Sequence, residues 1–144
     1  MPATEAPAPG LVFQDARLLP WLTVADNLRA VSADITAERI AGLLGQVGLA
    51  GTESLWPRQL SGGMQRRLAL ARALSVNAGL LLLDEPFVSL DRATLREMQA
   101  LLRQVLGLYR PTVVLVTHDP EDATALADRV VVLEGRPAQI VARA

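Results

Sequence analysis

The sequence predicts an α/β fold with a mostly parallel sheet and flanking helices, and three observations indicate this class. Two aliphatic runs, Leu80 to Leu83 and Val113 to Val116, lack polar alternation, which is typical of strands covered on both faces of a parallel sheet. Between them, apolar residues recur at helical spacing from Arg92 to Gly107, which predicts a crossover helix between parallel strands. With 51% hydrophobic and only 3% aromatic residues, the core is expected to be aliphatic.

The segment before the first long run predicts one short strand and a capped helix. Leu11 to Phe13 is expected to form a strand that ends at Gln14. Thr23 is expected to cap a helix that continues through Val31, with Asp26 in its acidic first turn.

Two more helices are predicted around a linker at Pro57. The first carries apolar residues from Ile40 to Val47 at helical spacing and has Gly48 at its C-terminal cap. The second begins at Ser61 and carries an apolar face from Leu68 to Leu74.

The C-terminal part predicts a helix after Pro120 and a closing hairpin. The hairpin strands are expected at Val130 to Leu133 and Ala138 to Val141, on either side of Gly135.

Length and charge narrow the possible functions. A chain of 144 residues is the size of one domain, and a net charge of -1 without blocks of like charge predicts no nucleic-acid partner. There is no cysteine, so no disulfide or thiolate site is expected, and a reducing cytoplasm is compatible. Residues 1–10 contain three prolines and no basic region, which predicts a loose tail rather than a signal peptide. No apolar run approaches the ~20 residues that cross a bilayer.

The segment Ser61-Gly62-Gly63 is a candidate phosphate site. Without bulky side chains, the first amides of the helix and its positive end are free to receive an anion. In isolation, the same residues are more often an ordinary helix cap.

Asp84 and Glu85 follow the aliphatic run directly, at the sheet edge where ligands of α/β folds bind. Successive side chains of a strand point in different directions, so Asp84 is expected to hold Mg²⁺ through water while Glu85 faces an attacking water. A lone acidic pair there is otherwise read as a cap of the next helix.

Five motifs in order give the sequence a resemblance to the ATPase subunits of ABC transporters, over nearly the whole chain. Gln14 looks like the glutamine loop, Leu60 to Gln65 like the signature motif, and Leu80 to Glu85 like the Walker B strand with its catalytic glutamate. Ser89-Leu90-Asp91 looks like the D-loop, and His118 looks like the switch histidine.

The resemblance implies a partial P-loop NTPase fold with a helical signature subdomain at about residues 22–75 and a core at about 78–144. It implies ATP and Mg²⁺ as ligands, Glu85 and His118 as catalytic residues, and Asp84 and Gln14 as the residues of the metal site, where Asp84 holds Mg²⁺ and Gln14 senses it. The residues that it implies to contact nucleotide are Gln14, Ser61, Gly62, Gly63, Gln65, Asp84 and Asp91.

The partners that the resemblance implies are a second ATP-binding subunit, arranged head to tail, and a transmembrane permease. The protein would then lie on the cytoplasmic face of the membrane, attached through that permease. The segment from Phe13 to Trp21 is similar to the nitrate, sulfonate and taurine importers, whereas the solute itself is chosen by components outside this chain.

One family feature is missing from these residues. The chain has no lysine, so the glycine-rich phosphate loop with its lysine is expected before Gln14, and the chain is expected to be truncated at its N-terminus. The strand of that loop would lie between the strand ending at Thr117 and the strand Val130 to Leu133. We therefore predict a gap in the sheet, or a forced new pairing, at that place.

Three functions remain open at this point. The first is the ATP-hydrolysing subunit of an importer, and the second is a non-hydrolysing partner that donates its signature motif to an intact ATPase. The third is a soluble ABC-type ATPase without a role in transport. Only 45 residues separate Gln14 from Leu60, too few for the coiled-coil arm of a DNA-acting form.

Overall fold

The structure, a computed structural model, describes residues 8–143. Most of the predicted loose tail, residues 1–7, lies outside the described residues, and Gly10 already belongs to a strand. The helices are α1 (Val24–Arg29), α2 (Ala37–Gln46), α3 (Gly62–Ser75), α4 (Arg92–Tyr109) and α5 (Pro120–Leu126). The strands are β1 (Gly10–Val12), β2 (Leu80–Asp84), β3 (Thr112–Val116), β4 (Val131–Glu134) and β5 (Gln139–Arg143), and a 3-10 turn covers Pro57–Gln59.

Strands β1, β2 and β3 form the predicted parallel sheet, in that order. Val12 is in register with Leu83, and Leu83 with Leu115. Because all three strands run in the same direction, the residues that follow Val12, Asp84 and Val116 emerge at one edge. This edge carries most of the candidate site.

The expectation that both faces of the sheet are covered is wrong for the described residues. Leu81 and Leu83 are buried in the same cluster as the apolar faces of α3 and α4. Side chains on the other face stay exposed, with Val114 48% and Val116 54% accessible. The packed helices lie on one face only, so burial alternates along an aliphatic run that sequence alone suggests is buried throughout.

The predicted gap in the sheet is confirmed. Among residues 8–143, no strand pairs with the second edge of β3, and β4 and β5 form a separate antiparallel sheet. The expected closing hairpin is therefore present but does not extend the parallel sheet.

Helix starts agree with the predicted caps, whereas two helix ends do not. The Thr23 and Ser61 hydroxyls accept the amides of Asp26 and Met64. Helix α1 stops before Val31, because a Val31 to Leu28 bond of 3.3 Å tightens the last turn instead of extending the helix. Helix α4 continues past Gly107, because hydrogen bonds of the Tyr109 hydroxyl with Arg39 and Gln46 hold its last turn.

None of the helices in the described ranges is long and apolar enough to cross a membrane. The division into a helical subdomain and a core stays a prediction.

Candidate functional site

Four predicted site residues lie just beyond the carboxyl ends of the parallel strands. Asp84 is the last residue of β2 and pairs with Val116, two residues before His118. Val12 is in register with Leu83. Gln14 lies two residues after Val12, and Glu85 lies two residues after Leu83. The register alone therefore brings Gln14, Asp84, Glu85 and His118 to one edge of the sheet, the place where parallel α/β sheets bind ligands.

Glu85 and His118 are in direct contact. The Nδ1 atom of His118 lies 2.9 Å from both carboxylate oxygens of Glu85. The hydrogen bond to the Glu85 carboxylate, followed by the negative charge of that group, raises the pKa of His118 above the ordinary value of 6.5. The His118 side chain is 76% exposed and that of Glu85 is 22% exposed, so the imidazole faces outward while the carboxylate is held behind it.

The backbone at Glu85 is strained. Its φ of 48° is left-handed, a region that residues with a Cβ seldom occupy. The Glu85 amide donates to the Val116 carbonyl over 2.9 Å, which ties the turn to the end of β3. Strain of this kind costs roughly 1–3 kcal/mol and is concentrated at functional sites. The turn directs the Glu85 carboxylate toward His118.

Asp84 and Gln14 are exposed at the same edge. Within residues 8–143, neither side chain takes part in a hydrogen bond or ion pair, so their oxygens are available. Carboxylate and amide oxygens are the hard donors that Mg²⁺ prefers, and this ion keeps several waters when bound. The described residues contain no group of three acidic, histidine or cysteine side chains that could hold a metal alone. The donors fit a Mg²⁺ ion that obtains its other ligands from phosphate and water.

The N-terminus of α3 presents free amides. The Ser61 hydroxyl accepts the Met64 amide over 3.2 Å, and within the described part of the chain the amides of Gly62 and Gly63 have no acceptor. A Cβ at Gly62 would meet nothing within 4 Å, so the approach is open. The Gln65 side chain turns away from this opening and donates to the carbonyls of Pro57 and Leu60. Its amide holds the entry to the helix, and a contact with nucleotide stays a prediction.

Asp91 caps α4. Its Oδ1 accepts the amides of Ala93 and Thr94 at 2.9 and 3.0 Å, and its Oδ2 accepts the Thr94 hydroxyl. The hydroxyl bond of Thr94, the largest of these influences, lowers the pKa of Asp91. A Cβ at Gly63 would lie 3.8 Å from the Thr94 methyl group. The predicted signature and D-loop residues are thus neighbours, at the adjacent N-termini of α3 and α4.

Two arginines of α3 hold the loops of the site, and neither was predicted as a site residue from the sequence. Arg66 donates to the Val88 carbonyl in the loop after β2, over 2.8 Å. Arg72 donates to the Ala16 and Arg17 carbonyls in the loop after Gln14, at 2.9 and 2.8 Å. No local pattern indicates such contacts, because the partners are carbonyls far away in sequence.

Comparison with known proteins agrees with this arrangement. The family model described as ABC transporter matches residues 6–88. The aliphatic sulfonates import ATP-binding protein SsuB 2 of Rhodococcus jostii is 53% identical over 86% of this chain and 51% of its own length. The protein called SsuB 1 of Pseudomonas aeruginosa is 49% identical over 91% of this chain and 53% of its own. The chain spans about half the length of the curated relatives it matches.

Two solved structures share the fold. One is a dimeric post-hydrolysis state of an ATP-binding cassette bound to ADP and Pi, with a TM-score of 0.69 and 33% identity over 85% of this chain and 56% of that chain. The other is a dimeric bacterial ABC transporter cassette with a TM-score of 0.70 and 33% identity, and the match covers 85% of this chain and 57% of that chain. The expected partial nucleotide-hydrolase fold is confirmed, whereas the roles of individual site residues stay predictions.

Proposed function

The chain belongs to the ABC transporter family, and we propose that it is part of an ATP-hydrolysing subunit that powers solute import through a membrane permease. The observation that carries this proposal is the contact of Glu85 with His118 at the ligand-binding edge of the sheet. Relatives that are 53% and 49% identical in sequence are named import ATP-binding proteins for aliphatic sulfonates. These names favour transport over a soluble ATPase with another role.

In the proposed reaction, Glu85 orients the water that attacks the terminal phosphate of ATP and receives its proton. The products are ADP and inorganic phosphate. His118 holds the carboxylate in position through Nδ1, and its positive charge, favoured by the raised pKa, lies where negative charge develops on the transferred phosphoryl group. The bond of the Glu85 amide to the Val116 carbonyl holds the left-handed turn at Glu85. This turn directs the carboxylate away from an ordinary strand position.

The available oxygens of Asp84 and Gln14 would hold Mg²⁺ at the same edge, Asp84 through a bound water. The ion supplies neutralisation of phosphate charge. Gln14 connects this place to the loop that Arg72 fixes, so its amide oxygen is kept near the sheet edge.

The free amides of Gly62 and Gly63, with the Ser61 hydroxyl, are proposed to receive the terminal phosphate of ATP held by a second ATP-binding subunit. Helix α3 has 14 residues, long enough to present a substantial positive end to this phosphate. The partners proposed are this second subunit, arranged head to tail, and the permease that keeps the protein at the cytoplasmic face of the membrane. The solute class proposed from the relatives is organic sulfonate.

A second candidate function is favoured by one observation. These residues contain no lysine, so they do not include the lysine of a phosphate loop. A chain of this kind could donate Ser61 to Gly63 to an intact ATPase without hydrolysing ATP at Glu85.

A mixed dimer separates the two candidates. This chain is combined with an intact relative whose own signature serine has been replaced by arginine. The relative then turns over ATP only when this chain supplies the signature motif. Ser61→Arg tests the signature of this chain, and Glu85→Gln tests its carboxylate. Ser54→Arg, the same change in an exposed loop, is the matched control.

ATP turnover above that of the relative alone, abolished by Ser61→Arg and kept by Ser54→Arg, is expected for either candidate. A second pairing uses a relative that keeps its signature serine but has its own catalytic glutamate replaced by glutamine. Turnover in this pairing that Glu85→Gln abolishes is expected for the hydrolysing subunit, because each carboxylate serves its own site. Turnover in the first pairing but not in the second supports the signature donor instead. No added turnover with the unchanged chain refutes both.

A further inference from the structure

Arg66 is not explained by the site as it stands. It lies on α3 three residues after Gly63, and its guanidinium points to the loop that joins β2 to α4. We propose that Arg66 is a positioning residue that fixes the loop from Glu85 to Asp91 onto the signature end of α3. The functional consequence rests on the proposed function, whereas the contact itself can be tested without it.

The contact is well placed for this task. Arg66 Nη2 donates to the Val88 carbonyl over 2.8 Å from a half-buried position. Arg66 lines a small cavity together with Pro86 and Phe87, so the residue adjoins the same loop that its guanidinium holds. Hydrogen bonds from a charged donor are stronger than neutral ones.

The loop needs an external support because its own bonds are weak. Glu85 and Ser89 both have left-handed backbones, with φ of 48° and 61°. The internal bonds, Val88 amide to Glu85 carbonyl and Leu90 amide to Phe87 carbonyl, are long at 3.4 and 3.3 Å. Strained residues persist only where the surroundings determine them. The surroundings here are the buried Phe87 ring, the Asp91 cap and the Arg66 bond.

Arg66 therefore connects two parts of the candidate site that lie in different elements. On one side are the free amides of Gly62 and Gly63, and on the other is the loop that begins with Glu85 and ends with Asp91. Occupation of the amides by a phosphate is expected to reach Val88 through Arg66, because Arg66 belongs to the second turn of the same helix.

The first test uses this chain alone, with Arg66→Met to remove the hydrogen-bond donor and keep an unbranched apolar side chain. Arg67→Met is the matched control, since Arg67 loses the same charge on the same helix but pairs with Glu97 of α4 at 3.0 Å and not with the loop. Amide hydrogen exchange read by NMR is expected to accelerate about tenfold at Val88 and Leu90 in Arg66→Met. Exchange at the buried Leu68 is expected to stay unchanged in Arg66→Met. In Arg67→Met, exchange is expected to stay unchanged at Val88, Leu90 and Leu68.

Equal exchange at Val88 and Leu90 in both variants overturns the proposal. If Arg66→Met does not fold, the unchanged chain still decides: a scalar coupling across the hydrogen bond from an Arg66 Nη to the Val88 carbonyl is expected, and a freely rotating guanidinium without it overturns the assignment.

The second test uses the mixed dimer with Mg-ATP. In the unchanged chain, nucleotide is expected to slow exchange at Gly63 and, through Arg66, at Leu90. In Arg66→Met, protection is expected to remain at Gly63 and to disappear at Leu90, whereas Arg67→Met keeps both. Protection of Leu90 in all three chains overturns the coupling. If no nucleotide binds at all, the proposed function fails, and the result from the free chain still stands or falls by itself.

Discussion

Replacement of Arg72 by methionine is expected to release the loop that carries Gln14 and to destabilise the chain strongly. The guanidinium makes two hydrogen bonds, to the carbonyls of Ala16 and Arg17 at 2.9 and 2.8 Å. Arg72 is half-buried, so its charge is partly withdrawn from water, and this burial lowers its pKa. Hydrogen bonds to a charged group contribute about 1.5–3 kcal/mol each, so we expect the free energy of unfolding to fall by about 3 kcal/mol.

Arg67→Met is the matched control for this magnitude. Arg67 loses the same charge on the same helix, but its partner Glu97 is 64% exposed, and exposed pairs contribute about 0–1 kcal/mol. Urea unfolding followed by circular dichroism measures both variants. With a slope of about 2 kcal/mol per molar urea, the midpoint is expected to fall by roughly 1.5 M for Arg72→Met and by less than about 0.5 M for the control. Equal midpoints for the two variants would falsify the argument that the loop contacts of Arg72 dominate.

Three further outcomes are expected. The pKa of His118, the one histidine of the sequence, is raised by Glu85, so Glu85→Gln should lower it in an NMR titration. The pair's contribution to stability is then present below pH 6.5 and lost as pH rises through the folded pKa; an unshifted titration contradicts the contact. Asn27→Ala should lower the free energy of unfolding in urea by about 3 kcal/mol, since the buried side-chain amide of Asn27 donates to the Leu19 carbonyl and accepts the Leu19 N–H. A cost below that of Gln104→Ala, at an exposed position, contradicts this role of Asn27. Asp91→Ala should lower the melting temperature through the lost cap, and an unchanged melting temperature rules the cap out as a stabilising contact.

The parts of the fold that the sequence predicted are those with local causes. The cap at Thr23 and the helix start at Ser61 depend only on a hydroxyl and an amide three residues away, and both were confirmed. The parallel sheet followed from aliphatic runs with a helix between them. The exposed face of that sheet was not predictable, because a run such as Val113 to Val116 does not reveal whether a second layer covers it.

The candidate site divides in the same way. Motif order indicated the sheet edge that carries Glu85 and His118, and the structure brings these two side chains to 2.9 Å. The left-handed turn at Glu85 was not foreseen, because residues with a Cβ seldom adopt it and no local residue type requires it. The contacts of Arg66 and Arg72 span 22 and at least 55 residues, so nothing near either arginine in sequence could indicate its partner.

Helix α3 contacts two loops of the candidate site. Its N-terminus presents the free amides, Arg66 holds the loop after β2, and Arg72 holds the loop after β1. The two arginines are six residues apart, a rise of about 9 Å along the helix and nearly two turns, so each reaches a different loop. A rigid displacement of α3 must therefore shift both loops in the same step, or break one of these bonds. If a phosphate binds at Gly62 and Gly63 as proposed, Gln14 and Glu85 respond together, because they are connected to the same helix.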